Sequence, residues 1–70
     1  MVRQSVISSN LSSVGYDPAT AILEIRFHNG GIYQYFNVPS SVHTGLMTAA
    51  SKGHYLHRFI RGKYRYLKVA

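Results

Sequence analysis

The chain has no cysteine, only two acidic residues and no long apolar run. Without cysteine it forms neither a disulfide nor a thiolate-bound zinc site, as is typical of proteins in a reducing compartment. No apolar run approaches the roughly 18 residues that a membrane-spanning helix needs. The N-terminal segment MVRQSVISSN also lacks an apolar core of signal-peptide length. We therefore expect a cytoplasmic protein that makes no use of a membrane.

The few acidic residues are unevenly placed. Asp17 and Glu24 both lie in the first half of the chain, where Arg3 and Arg26 balance them. The whole formal charge of +6 therefore belongs to the segment 51–68. Such a concentration of positive charge favours anionic partners such as RNA, DNA or acidic proteins. The basic residues of this segment are Lys52, Arg58, Arg61, Lys63, Arg65 and Lys68.

The length sets the number of domains. Seventy residues, of which 46% are apolar, suit a single domain over 1–70 with one modest core. Residues 1–5 have no clear pattern, and we expect them to fray.

The clearest local signal is a β-hairpin in ILEIRFHNGGIYQYFNV, residues 22–38. Apolar and polar residues alternate up to His28, the pattern of a half-buried strand. The tripeptide 29–31, Asn-Gly-Gly, accepts the positive φ angles of a tight turn. A short strand at 14–16 and a turn at Asp17-Pro18 come before it. Together these segments predict a three-stranded antiparallel meander.

The second hairpin strand has two possible registers. A three-residue loop at 29–31 places Tyr33 and Tyr35 on the core face. A two-residue loop places Ile32 and Phe36 there instead. We favour the first, because one face then buries Leu23, Ile25, Phe27, Tyr33 and Tyr35. The sequence leaves open whether the two tyrosines are core or surface residues.

Two short helices are predicted after Pro39. The hydroxyl of Ser40 or Ser41 can cap the first, which runs to about Ala50 with Val42, Leu46 and Met47 on one face. Ser51 can cap the second, roughly 52–61, and Gly62 can end it. The final run YRYLKV alternates and could add a fourth strand.

The second helix has a basic face. At about 100° per residue, His54, His57, Arg58 and Arg61 form one narrow stripe. The opposite side carries Tyr55, Leu56, Phe59 and Ile60, which should dock on the core. A solvated helix face usually mixes charges of both signs, so a stripe without any acid favours a polyanion over bare solvent.

The C-terminal segment extends the basic surface. Lys52, Lys63, Arg65 and Lys68 would follow a nucleic-acid backbone. Tyr64 and Tyr66 either pack on the core or stack on unpaired bases. The tripeptide Ser51-Lys52-Gly53 has two interpretations, a phosphate site at the helix N-terminus or a plain helix cap, and we favour the cap.

The ordered segments resemble the KTSC domain family over about Ser8 to Leu67. The resemblance is carried by SSNLSSVGYDPAT, GGIYQYFNVP with its Tyr33-Gln34-Tyr35, SKG and IRGKYRY. The family takes its name from the C-terminus of some lysyl-tRNA synthetases and also occurs as free-standing bacterial proteins. Its function is unknown, and its attachment to a synthetase implies RNA binding. The resemblance supplies no catalytic residues.

Other chemistries find less support. No carboxylate pair or Ser/His/Asp set is readable, so we expect no enzyme, cofactor or metal. The spacing His54-x-x-His57 could bring two imidazoles to a metal, but two arginines lie beside them and no acid is near. A metal-independent ribonuclease could use one of these histidines with Arg58 or Arg61, and is the less favoured alternative.

The sequence therefore predicts an α+β domain, a three- or four-stranded antiparallel meander with two short helices on one face. The favoured role is a small nucleic-acid-binding module, for RNA rather than DNA, with low sequence specificity. The main alternative is a protein-interaction module or homodimer. It would act through a sheet edge, either the strand at 14–16 or the C-terminal strand.

Overall fold

The computed structural model describes all residues, 1–70, and has a five-stranded antiparallel sheet with two helices on one face. The predicted α+β class is confirmed, and the sheet has one strand more than the largest number predicted. The strands lie in chain order, β1 to β5. Neither helix is both long and apolar enough to cross a membrane. The elements are β1 (Arg3–Ser5), β2 (Leu11–Asp17), β3 (Ile22–Phe27), β4 (Ile32–Tyr35), α1 (Ser40–Thr48), α2 (Lys52–Tyr55) and β5 (Tyr66–Lys68).

β1 is the one strand that the sequence did not predict. It lies within the segment 1–5 that was expected to fray, and it pairs with Ser13–Gly15 of β2. Met1 and Val2 lie outside the strand. Its residues Arg-Gln-Ser show no apolar alternation, because this edge strand buries none of its side chains fully. Backbone pairing with β2 forms it instead, and such pairing leaves no signal in side-chain pattern.

The β3–β4 hairpin confirms the predicted face and corrects the predicted register. Ile25 lies opposite Tyr33, and Leu23 opposite Tyr35, so the tyrosines share the core face as expected. The amide of Phe27 donates to Gly31, which makes the loop 28–30 rather than 29–31. The pairing is therefore shifted by two residues from the prediction. A shift of two keeps every side chain on its face, because strand side chains repeat with period two.

The helix α1 is confirmed, but its predicted hydroxyl cap is wrong. Pro39 occupies the N-cap position, and no side-chain hydrogen bond caps the helix. Proline has a fixed φ near −65° and no N–H group, so it suits the start of a helix. Leu46 is fully buried, and Val42 and Met47 pack against the core beside it.

The second helix changes type within the predicted range. The Ser51 hydroxyl accepts from the His54 amide at 3.3 Å, which confirms the predicted cap. After Tyr55 the chain continues as a π-helical turn, Leu56–Ile60, which we name the π segment. Gly62 follows at φ +76°, the left-handed conformation that glycine accepts most easily, and ends the element as predicted. Leu56 and Ile60 are buried, whereas Phe59 is 47% exposed, so its predicted place in the core is wrong.

A contact between β2 and α1 involves a partly buried histidine. The Tyr16 hydroxyl donates to the Val38 carbonyl oxygen at 2.6 Å. The ring of Tyr16 stacks on the imidazole of His43, with 4.7 Å between centroids and 13° between planes. Burial lowers the pKa of His43 from its ordinary value, because removal from water disfavours the charged imidazolium.

This lowered pKa predicts a loss of stability in mild acid. In the unfolded chain His43 becomes protonated below about pH 6.5, the ordinary pKa of histidine, whereas in the folded chain it becomes protonated only at lower pH. The free energy of unfolding should therefore fall as the pH decreases through this range. His43→Phe keeps an aromatic ring against Tyr16 and cannot titrate. Urea unfolding from pH 7.5 to 5 should show a smaller fall for the variant, and parallel curves would contradict the prediction.

Candidate nucleic-acid interface

Two neighbouring clefts open between the hairpin tip and the end of the π segment. The first has a volume of about 380 Å³, and we name it the aromatic cleft. It is lined by Phe27, Asn29, Tyr33, Tyr35, Arg61, Gly62 and Tyr66. The second, of about 460 Å³, is named the histidine cleft. It is lined by Ser9, Asn10, Phe27, His28, Asn29, Gly53, Leu56, His57 and Arg61. Phe27, Asn29 and Arg61 line both, so the two clefts form one continuous surface.

The aromatic cleft is walled by four rings from three adjacent strands. Phe27 meets Tyr33 edge to face, with centroids 5.5 Å apart. The Tyr66 ring lies 5.8 Å from both Tyr33 and Tyr35, tilted by 47° and 40°. The antiparallel registers place these residues on the same sheet face as the helices. Tyr66 is 61% exposed, because β5 is an edge strand and no helix covers its end of the sheet.

Tyr35 lies at the floor of this cleft. The residue is only 4% exposed, and its hydroxyl has no hydrogen-bond partner within the chain, unlike that of Tyr16. Burial raises the pKa of Tyr35, and the nearby Arg61 guanidinium opposes this in part. The hydroxyl therefore stays protonated at neutral pH and is available as a donor.

Arg61 is held at the rim by the geometry of the π segment. Its amide donates to the Leu56 carbonyl at 2.8 Å, five residues back, which closes the wide turn. Its own backbone is extended, with φ −65° and ψ 130°, so Arg61 has already left the helix. The side chain is exposed and lines both clefts.

The predicted basic stripe is divided in the structure. His57 and Arg61 line the histidine cleft, but His54 lines neither cleft. The Arg58 guanidinium lies over the ring of Phe59, 5.6 Å from its centroid. A wheel of 3.6 residues per turn fails here because the π segment has bonds from i to i+5, which rotates the later residues.

The remaining predicted residues have different environments. Lys63 and Arg65 are exposed beyond Gly62, and Lys68 lies opposite Tyr33, on the face of the aromatic cleft. Tyr64 packs against the core, whereas Tyr66 lines the cleft.

The tripeptide 51–53 is occupied by contacts within the chain. Ser51 caps α2, and the Lys52 ammonium donates to the Ala49 carbonyl at 3.3 Å. A Cβ at Gly53 would lie 2.8 Å from the side-chain nitrogen Nδ2 of Asn10, so glycine at this position leaves room for the Asn10 side chain. The arrangement favours the capping interpretation over the phosphate site.

Sequence reasoning missed the contribution of the hairpin tip. Phe27, His28 and Asn29 meet the helix end only through the tertiary fold, and their spacing in sequence gives no sign of it. The His28 Nε2 atom lies 2.8 Å from the Ser8 carbonyl oxygen and donates to it, which fixes the ring beside the histidine cleft.

Both acidic side chains have partners away from the clefts. Glu24 lies on the sheet face opposite the helices, where its carboxylate accepts from the Gln34 side chain at 2.8 Å. It also pairs with the Arg3 guanidinium at 3.3 Å, across Gly15 of the intervening strand β2. Asp17 accepts from the Ala19 amide at 3.0 Å in the turn after β2. The Arg3–Glu24 pair is the one salt bridge of the structure. No basic group at the clefts is therefore neutralised by a carboxylate.

Comparison of the chain with known proteins identifies the family to which it belongs. The model of the KTSC domain matches residues 7–64. The chain belongs to the KTSC domain family. The predicted resemblance is thereby confirmed.

Similar KTSC sequences occur in proteins of different length. A KTSC domain protein from Yersinia pestis is 43% identical, with a TM-score of 0.96 over 99% of this chain and 97% of its own. An uncharacterized protein of Stutzerimonas stutzeri is 39% identical over 99% of each. A lysine–tRNA ligase of Nostoc sp. is 43% identical over 89% of this chain, which spans only 11% of that enzyme.

Proposed function

We propose that this KTSC domain is a small RNA-binding module with low sequence specificity. The observation that carries the proposal is the separation of charge. The two carboxylates are engaged on one side of the molecule, while Arg61, Lys63, Arg65 and Lys68 have no acidic partner. Unpaired guanidinium and ammonium groups beside exposed aromatic rings are what an RNA backbone with accessible bases requires.

The relatives support RNA over DNA as the partner. Several curated relatives are lysine–tRNA ligases, which by name act on a tRNA. A domain attached to such an enzyme has RNA as its nearest polyanion. We extend this to the present chain as part of the proposal, together with a cytoplasmic location and no role for a metal or cofactor.

The second candidate is a protein interface at the β5 edge. This strand pairs on one side only, with β4, and its neighbourhood exposes Tyr66, Leu67 and Val69. An open edge with apolar side chains can add a strand from another chain, including a second copy. The prediction of an edge at 14–16 is wrong, because β2 is paired on both sides.

The dependence of binding on salt separates these candidates. Four phosphate contacts, from Arg61, Lys63, Arg65 and Lys68, would give a slope of log affinity against log salt near −3 for single-stranded RNA, at about −0.7 per contact. We expect a slope between about −2 and −3 in anisotropy titrations of a labelled RNA from 50 to 300 mM NaCl. Absence of RNA binding, with concentration-dependent self-association in sedimentation, would favour the β5 interface instead.

The same samples test cleavage. His28 and His57 line one cleft with Arg61, so the ribonuclease alternative retains a candidate acid–base pair. The RNA should remain intact after incubation with EDTA. Shortening that disappears in His57→Ala would replace the binding proposal by the nuclease.

A further inference from the structure

We propose that the aromatic cleft holds one unpaired nucleobase, with Arg61 on the adjoining phosphate, so that the domain selects single-stranded over double-stranded RNA. This inference rests on the proposed RNA binding and specifies how the same surface would recognise it. The juxtaposition that carries it is a set of aromatic rings around an open cleft, the free Tyr35 hydroxyl at the floor and a guanidinium at the rim.

The rings of the cleft suit a flat aromatic guest. The Tyr66 ring is tilted by 47° to Tyr33 and by 40° to Tyr35 rather than stacked on either, so a ring face remains free on the exposed Tyr66. A volume of about 380 Å³ is in the range of pockets that take small molecules. Stacking of a base on an aromatic side chain tolerates any base, which agrees with low sequence specificity.

The polar groups of the cleft explain why an apolar guest is not expected. Tyr35 as a residue is only 4% exposed, but it lines the cleft, and its hydroxyl has no hydrogen-bond partner within the chain. No buried side-chain nitrogen or oxygen of the structure lacks a partner, so this hydroxyl is open to the cleft. A base carbonyl or ring nitrogen that displaces water there would accept its hydrogen bond. Asn29 already accepts from the Gly31 amide at 2.9 Å, which leaves its side-chain NH₂ group as a second donor.

Double-stranded RNA cannot use this cleft. Every base of a duplex is paired along its edge and, except at the two ends, stacked on both faces. Tyr35 therefore cannot reach a free base edge, and Tyr66 cannot stack on an internal base. A duplex still offers phosphates to Arg61 and the flanking lysines, and would bind through charge alone. The cleft therefore adds affinity for unpaired RNA without changing the electrostatic contribution.

A pair of neighbouring substitutions tests this. Tyr66→Ala removes the exposed ring, and Leu67→Ala removes a side chain that is 55% exposed on the opposite face of the same strand. Both leave the net charge unchanged. The probes are a labelled ten-nucleotide RNA of mixed sequence and its blunt duplex, titrated with the full chain at one salt concentration.

We expect the wild-type chain to bind the single strand at least about tenfold more tightly than the duplex. Tyr66→Ala should weaken single-strand binding by about fivefold or more and leave duplex binding unchanged, while Leu67→Ala changes neither. Tyr35→Phe, which keeps the ring in the core, should also weaken only the single strand.

The outcomes separate the inference from the function on which it rests. Equal affinity of the wild-type chain for single strand and duplex overturns the base site but leaves RNA binding standing. So does a loss in Tyr66→Ala that is the same for both probes. If the wild-type chain binds neither probe, the proposed function fails and the base site fails with it. If circular dichroism shows Tyr66→Ala unfolded, an unchanged affinity of Tyr35→Phe for the single strand overturns the base site.

Discussion

Replacing Arg61 by glutamate should weaken RNA binding by about tenfold to a hundredfold, the largest loss expected from any single basic residue. The loss of a hydrogen bond to a charged group accounts for about 1.5–3 kcal/mol, and the new carboxylate repels phosphate in addition. Arg61 is the basic residue that lines both clefts, beside the rings of one and the histidines of the other. The measurement is an anisotropy titration of a labelled single-stranded RNA at fixed salt.

Arg58→Glu is the matched control for this prediction. It makes the same change in net charge only three positions away, but the Arg58 guanidinium lies over Phe59 and lines neither cleft. We expect a loss of a few-fold at most, because long-range charge alone is screened over about 10 Å at 0.1 M salt. Equal losses for the two variants would show that net charge, and not the cleft, determines binding. Unchanged affinity of Arg61→Glu would remove the clefts as the RNA surface.

Folding should survive both changes. Arg58 and Arg61 are exposed and form no salt bridge, so neither glutamate breaks an ion pair or enters the core. Substitutions at such positions usually change the free energy of unfolding by less than about 0.5 kcal/mol. Thermal unfolding should therefore be similar for the wild type and both variants, and a large decrease in Tm would make the binding comparison invalid.

The sheet could be predicted where side-chain alternation determines it. Leu23, Ile25 and Phe27 fix the core face of β3, and Tyr33 and Tyr35 then fix that of β4. The error of two residues in their register was invisible to the pattern, because alternation reports only which face a residue occupies. β1 has no alternation and was missed for the same reason.

The candidate site was less predictable than the sheet. Its basic residues stand out in the sequence, but their arrangement depends on the π segment, for which the sequence offers no recognised signal. One additional residue in the turn exposes Phe59, separates Arg58 from Arg61 and turns Arg61 toward the hairpin. His28 joins His57 only because β3 ends beside the helix, a tertiary contact between distant segments.

The position of the π segment depends on how α2 packs against α1, and Gly45 is the point of closest approach. A Cβ built at Gly45 would overlap the Tyr55 hydroxyl oxygen and lie 2.7 Å from the ring carbon Cζ and 3.0 Å from Cε2. The obstruction is a rigid ring rather than a flexible chain end. Tyr55 in turn packs on Phe59, with centroids 4.7 Å apart, so its displacement would disturb the π segment.

Gly45→Ala should therefore destabilise the domain although alanine is the better helix former. In an unobstructed helix this change would add about 1 kcal/mol of stability, whereas forcing a methyl group into a packed contact costs about 1–3 kcal/mol. We expect a net loss of up to about 2 kcal/mol in urea unfolding. Thr44→Ala, at an exposed neighbouring position of α1, should change stability by less than about 0.5 kcal/mol.

Making Gly45→Ala in a Tyr55→Ala variant distinguishes a clash with the Tyr55 ring from a general intolerance of α1 to alanine at position 45. In Tyr55→Ala the ring is gone, so Gly45→Ala should become stabilising by up to about 1 kcal/mol, as helix propensity alone requires. The reversal of sign between the two backgrounds is the decisive result, because no effect of backbone flexibility in the unfolded chain depends on residue 55. If Gly45→Ala is equally destabilising with and without the Tyr55 ring, the close packing of α2 on α1 is not what requires glycine there.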